Sequence, residues 1–167
     1  RPEILPDFND DVLLTSLVLW LGHFLDRMKG FRDLNRLDLR TILLNRVDYA
    51  HRHQLEKLAP SHLDVPSGSR LPIDYSHELP VLAVRVQEMF GADKTPAIFG
   101  GRQPLLLHLL SPAGRPLQIT TDLAGFWTGS WKDVQKEMKG RYPKHHWPDD
   151  PQTALPTNRV KNRRRIS

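Results

Sequence analysis

Lys132, Lys136 and Lys139, followed by the string Arg141-Tyr142-Pro143-Lys144-His145-His146-Trp147, are the residues of this chain best suited to chemistry. Lysine and arginine neutralise phosphate, and aromatic faces stack bases. Basic groups interleaved with Tyr142 and Trp147 therefore fit a surface for single-stranded nucleic acid. The same aromatics fit a second role, plugging the rim of the core. Arg159, Lys161, Arg163, Arg164 and Arg165 extend the positive charge into a C-terminal stretch with almost no apolar content. Such a segment cannot offset its own ordering entropy, so a flexible tail is expected from Gln152. It suits non-specific phosphate contact as well as a solvated end.

Catalytic patterns are missing. The nearest approach to a phosphate loop, Gly125 followed by Gly129-Ser130-Trp131-Lys132, has the wrong spacing and puts a tryptophan where backbone must approach phosphate. No G-x-S-x-G elbow and no H-E-x-x-H pair occurs. His51 and His53 are two apart, so on a helix they diverge by about 200° and share no metal. His145 and His146 point apart in an extended loop, and Asp149-Asp150 lacks a metal partner at fixed spacing. The absence of cysteine excludes disulfides and thiolate chemistry, and it fits a reducing cytoplasm. No catalytic, cofactor-binding or metal-ligating residue is assigned.

The net charge of +5 misleads until it is divided along the chain. Arg1 to Asp122 holds 14 basic and 15 acidic residues, Leu123 to Pro151 five and four, and Gln152 to Ser167 five and none. The excess lies wholly in the tail, so local patterning, not overall pI, carries the binding argument. The most apolar segment, Val12 to Leu25, is too short for the roughly 20 residues of a membrane span. No membrane partner is expected.

The elements that must position these residues are legible as follows. On a 3.6-residue period Trp127, Trp131, Val134 and Met138 share one face, with Lys132, Lys136 and Lys139 nearly opposite. Asp122 is a cap, Gly129 an interruption, Ser130 with Asp133 a capping box that continues the helix, and Gly140 its close. Three prolines between Pro143 and Pro151 then deny helix and central strand, leaving an extended, docked loop.

Upstream, Asn9 or Asp10 caps a predicted core helix that Gly30 ends, with Leu13, Leu17, Trp20, Phe24 and Met28 at helical spacing. A second helix is expected from Asn35 to about Leu58, its outer face a mixed-charge solvated one. At Ser61 the period becomes 2, predicting a hairpin through Leu63, Val65, Leu71, Ile73 and Tyr75. Leu79 to Phe90 reads as strand or helix, and helix is preferred after Pro80 at its first turn. Ala92 to Gln103 reads as loop, and Pro104 to Leu110 with Arg115 to Thr120 as a second hairpin. Helices first and hairpins later make an α+β chain: an N-terminal helical pair, a small antiparallel sheet of two hairpins with packed helices, and a basic tail.

KEMKGRYPKHHWPDDP, preceded by SPAGRPLQITTDLAGFW and LAPSHLDVPSGSRLPIDY, resembles the C-terminal region of the HrpB family of bacterial DEAH-box ATP-dependent helicases. The likeness runs from about Trp20 to Pro151, and the RYPKHxWPxDP string is specific. It implies an accessory domain over residues 1–151, helical to about residue 60 and α+β beyond, with a tail over 152–167. It also implies tandem motor domains before Arg1 in a longer, cytoplasmic polypeptide, with ATP and magnesium bound there. Single-stranded RNA would be the partner of Lys132, Lys136, Lys139, Arg141, Tyr142, Lys144, Trp147 and the tail. The alternative is an adaptor whose residues near Trp127 to Trp147 dock the motor domains or a separate protein.

Overall fold

Apolar periodicity and local capping compete in the first part of the chain, and capping wins. In the computed structural model, which describes residues 8–158, the chain divides into two compact units, Arg1–Lys57 and Leu58–Ser167. In the smaller unit Asn9 caps α1 (Asp10–Thr15), its side-chain oxygen accepting from the Asp11 N–H at 3.1 Å. The single core helix expected here is broken at Ser16. The Ser16 hydroxyl donates back to the Val12 carbonyl at 2.6 Å, and α2 (Leu17–Leu25) starts afresh. Leu13, whose carbonyl an unbroken helix would give to Leu17, instead accepts the Trp20 indole N–H at 2.9 Å. Nor is the segment core: of α1 and α2 only Leu21 is buried, while Leu14, Val18 and Leu19 are exposed.

The second long helix is divided in the same way. A 3₁₀ turn, Phe31–Arg36, precedes α3 (Leu39–Leu44) and α4 (Tyr49–Leu58). Asp38 starts α3 by accepting the Thr41 N–H at 3.0 Å and its hydroxyl at 2.6 Å. At the far end Arg46 and Val47 bond to the carbonyls three residues back, which closes α3 before the Asp48 carbonyl accepts from His51 and Arg52 at the start of α4.

The larger unit follows the strand signals more closely. Strands β1 (His62–Asp64) and β2 (Arg70–Pro72) pair antiparallel with Leu63 opposite Leu71, as the alternation predicts. The preferred helix over Leu79 to Phe90 is instead a strand, β3 (Val81–Arg85), running into a buried 3₁₀ turn, Val86–Met89. Its valines suit a pleated surface, and β3 pairs parallel with β6 (Leu106–Leu110), a long-range partner that local spacing does not reveal. Between them the expected loop holds a short hairpin, β4 (Ala97–Ile98) with β5 (Gln103–Pro104). Its turn needs positive φ at Gly100 and Gly101, where glycine costs least.

Strand β6 turns at Ser111 to Gly114 into antiparallel β7 (Pro116–Thr120), giving the sheet order β3-β6-β7. Two helices close the unit, α5 (Leu123–Thr128) and α6 (Trp131–Arg141), divided at Gly129 as read from the sequence. Asp122 caps α5 through a 2.9 Å bond from the Gly125 N–H, and a Cβ on Gly125 would overlap that carboxylate. Ser130 makes no side-chain cap bond, and α6 runs through Gly140 to Arg141. Leu82, Val84, Leu107 and Leu109 face Phe90, Phe126, Trp127 and Trp131 in one core.

The chain is thus α+β, with helices and small sheets. Within residues 152–158 the Thr157 N–H donates to the Gln87 carbonyl at 3.0 Å and the Asn158 side-chain amide to Ser69 Oγ at 3.3 Å. Residues 159–167 lie outside the described residues. Among the described residues no helix is long and apolar enough to cross a membrane.

Candidate nucleic-acid interface

Helix α6 turns Trp131, Gln135 and Met138 inward and leaves Lys132, Lys136 and Lys139 exposed, which is the seam and crest of its period. Trp131, 1% exposed, meets Trp127 edge to face at 5.4 Å and Phe90 at 5.5 Å. These are favoured aromatic geometries. Buried indoles also require acceptors, and the proline-rich loop supplies them. Trp131 donates to the Pro148 carbonyl at 3.1 Å, and Trp147 donates to the Tyr142 carbonyl at 2.9 Å.

Gln135 completes the attachment. Its amide nitrogen lies 2.7 Å from the Pro148 carbonyl, 2.8 Å from Asp149 Oδ1 and 3.1 Å from the Trp147 carbonyl, so its two hydrogens are shared among three acceptors. The loop after α6 is therefore stapled to the helix that carries the lysines. A polar residue one turn after Trp131 on the apolar seam was the available signal, and sequence reasoning passed over it.

The cations do not form one uniform patch. Lys139 lies 3.4 Å from Asp149, and Arg141 lies 3.2 Å from Glu137. The hydrogen bond from Gln135, and then Lys139, hold the Asp149 carboxyl below the usual carboxylate range. Lys132, Lys136 and Lys144 are exposed and make no ion pair among the described residues. They are the cations available to an incoming anion.

The two aromatics divide. Tyr142 is half-buried, its ring edge-on to His145 at 6.1 Å and its hydroxyl donating to Ser111 Oγ at 3.4 Å. Trp147, only 5% exposed, packs at 6.4 Å from Trp131. This corrects its assignment as a base-stacking residue: the core that needs its apolar surface has already taken its face and its N–H. Arg159, Lys161, Arg163, Arg164 and Arg165 lie outside the described residues.

His145 anchors the loop on a second side. Its Nδ1 is 3.0 Å from the Gln87 side-chain amide, which fits a neutral imidazole accepting at that nitrogen. Burial, and then the positive charge of Arg85, hold its pKa below the ordinary imidazole value. Among the described residues no group of three or more His, Asp or Glu side chains is placed to hold a metal ion.

A family model described as ATP-dependent helicase C-terminal, HrpB_C, matches residues 20–151. The ATP-dependent RNA helicase HrpB of Escherichia coli strain K12 is 49% identical over 157 residues, covering 93% of this chain and 19% of that protein. The crystal structure of the E. coli DExH-box NTPase HrpB superposes with a TM-score of 0.84 at 49% identity, over 93% of this chain and 19% of the other. The crystal structure of the Escherichia coli DEAH/RHA helicase HrpB gives 0.67 at 46% identity, over 85% and 18%. This chain thus spans 19% of the length of the curated relative it matches.

Proposed function

The chain belongs to the HrpB_C family, the C-terminal region of ATP-dependent helicases, and from that premise we propose that it holds or guides single-stranded RNA beside ATP-driven motor domains. ATP and magnesium would be bound by those motor domains in cis, in a cytoplasmic polypeptide. The observation that carries this reading is the set of unpaired, exposed cations Lys132, Lys136 and Lys144 on a helix and loop fixed to each other by Gln135. Phosphate is the part of RNA these groups suit. With Trp147 withdrawn into the core, base stacking falls to Tyr142 alone, and backbone neutralisation dominates.

The test is the affinity of the chain for a fluorescein-labelled oligouridylate, measured by anisotropy across a salt series. Changing Lys132, Lys136 and Lys144 to alanine should lower the log–log salt slope by about 0.7 for each phosphate no longer neutralised. Removing residues 159–167, which hold five basic residues, should lower it further. No binding by the wild-type chain even at low salt would sink the reading.

The adaptor alternative has one observation in its favour, although not at the residues around Trp127 to Trp147. Trp127, Trp131 and Trp147 are buried, but in the smaller unit Val18, Leu19 and Phe31 are between 79% and 90% exposed. Apolar surface of this kind favours a docked protein partner.

A further inference from the structure

A cleft of about 180 Å³ lies between the β6–β7 turn and the C-terminal end of α6; Arg115, Arg141, Tyr142 and Ser111 line it together with the Glu137 carboxylate and the apolar side chains of Val134 and Met138. We propose that it is a phosphate-binding subsite, taking one phosphodiester of a bound RNA. The ligand class rests on that RNA reading.

Arg115 sits on a fixed backbone. The Ser111 N–H donates to the Arg115 carbonyl at 2.8 Å, and the Arg115 N–H donates to Ser111 Oγ at 3.1 Å. Its guanidinium makes no hydrogen bond or ion pair among the described residues, although it is a fork of five donors. Arg141 stands on the same cleft with its charge partly met by Glu137 at 3.2 Å. Exposed pairs one helical turn apart contribute little, so a phosphate can displace that carboxylate. The Tyr142 hydroxyl, weakly engaged with Ser111 at 3.4 Å, adds a neutral donor.

Two guanidinium groups and a hydroxyl make a donor-rich wall. The ligand it fits is an acceptor-rich anion with tetrahedral oxygens, which guanidinium groups bind in bidentate fashion. Arg141 ends the helix that carries Lys132 and Lys136, and Tyr142 follows it; the cleft lies on the Val134 and Met138 side of that helix, nearly opposite the lysines, so a strand reaches both only by passing round the helix's C-terminal end. Arg115 joins them only in the folded chain, 26 residues from Arg141 in sequence.

The test uses the 167-residue chain, with the arginine Nε–H signals followed by NMR during titration with oligouridylate and, separately, with inorganic phosphate. The expected result is a shift of the Arg115 and Arg141 signals with RNA. Arg115→Gln should lower RNA affinity and reduce the log–log salt slope by about 0.7, the value for one phosphate on a single strand. Tyr142→Phe should weaken binding without changing that slope, and Arg102→Gln, which removes an equal charge outside the cleft, should change neither. RNA binding by Arg115→Gln with wild-type affinity and slope, and an unmoved Arg115 signal, overturns the subsite while leaving the ridge as an RNA surface. If wild-type chain ignores RNA but phosphate shifts both arginines, the RNA reading falls and the anion cleft stands. If neither ligand moves Arg115, the subsite is overturned.

Discussion

The side-chain amide of Gln135 lies 2.7 Å from the carbonyl oxygen of Pro148. This bond ties the middle of the lysine-bearing helix to the proline-rich loop that follows it. Proline cannot donate through its nitrogen, so a loop rich in proline has few backbone donors of its own and depends on side chains such as Gln135 and Trp131 to hold it.

Gln135→Leu keeps the size of the side chain and removes both donors. Leaving buried carbonyls with fewer partners should cost about 1 to 3 kcal/mol, read as a lower midpoint in urea unfolding. Amide exchange at the described loop residues His145 and Asp149 should quicken at the same time. A variant with the midpoint and loop protection of wild type would show that the indoles alone hold the loop.

Trp131→Ala and Trp147→Ala are both expected to be core truncations. Each should destabilise the chain by about 3 to 5 kcal/mol, because the indole leaves a cavity that its neighbours fill only in part. If Trp147→Ala retained full thermal stability and lost affinity for oligouridylate, the residue would be a stacking surface after all.

The loop's attachment through His145 should respond to pH. The imidazole is held below its ordinary pKa by burial and then by Arg85, so the unfolded chain takes up the proton first as pH falls. Stability is therefore full above the unfolded value of about 6.5 and declines as pH falls from there toward the lower folded value. Thermal melts between pH 8 and pH 5, a range set by about 1.5 units on either side of that imidazole value, should show this decline. His145→Gln, which keeps a polar group beside Gln87 without a titrating proton, should flatten it. An equal slope in both proteins would assign the pH dependence to other groups.

Sequence alone determined the parts of the fold whose signal is local. Pro104 to Leu110 and Arg115 to Thr120 read as a hairpin across the turn residues Ser111 to Gly114, and β6 and β7 form it. Asp122 and Gly129 marked the bounds of α5, and the seam of Trp127, Trp131 and Met138 was legible because side chains 3.6 residues apart share a helix face. The string around Arg141 to Pro151 carried the family likeness, and the match over residues 20–151 covers the same stretch.

Tertiary structure decided what depends on partners distant in sequence. Valines 81 and 84 sit in a strand because β6 lies beside them, and no local window contains β6. Arg115 comes to Arg141 only when the β6–β7 turn meets α6. The sequence neighbours of Trp147 fitted both a base-stacking role and a plug at the rim of the core, and the aromatic cluster at Trp131 took it, since burying an indole with its N–H satisfied gains more than exposing it. Asp38 and Ser16 show the same limit from the other side: the helical spacing ran through both without marking a break, because whether a capping group ends a helix depends on the packing that would otherwise hold the helix together.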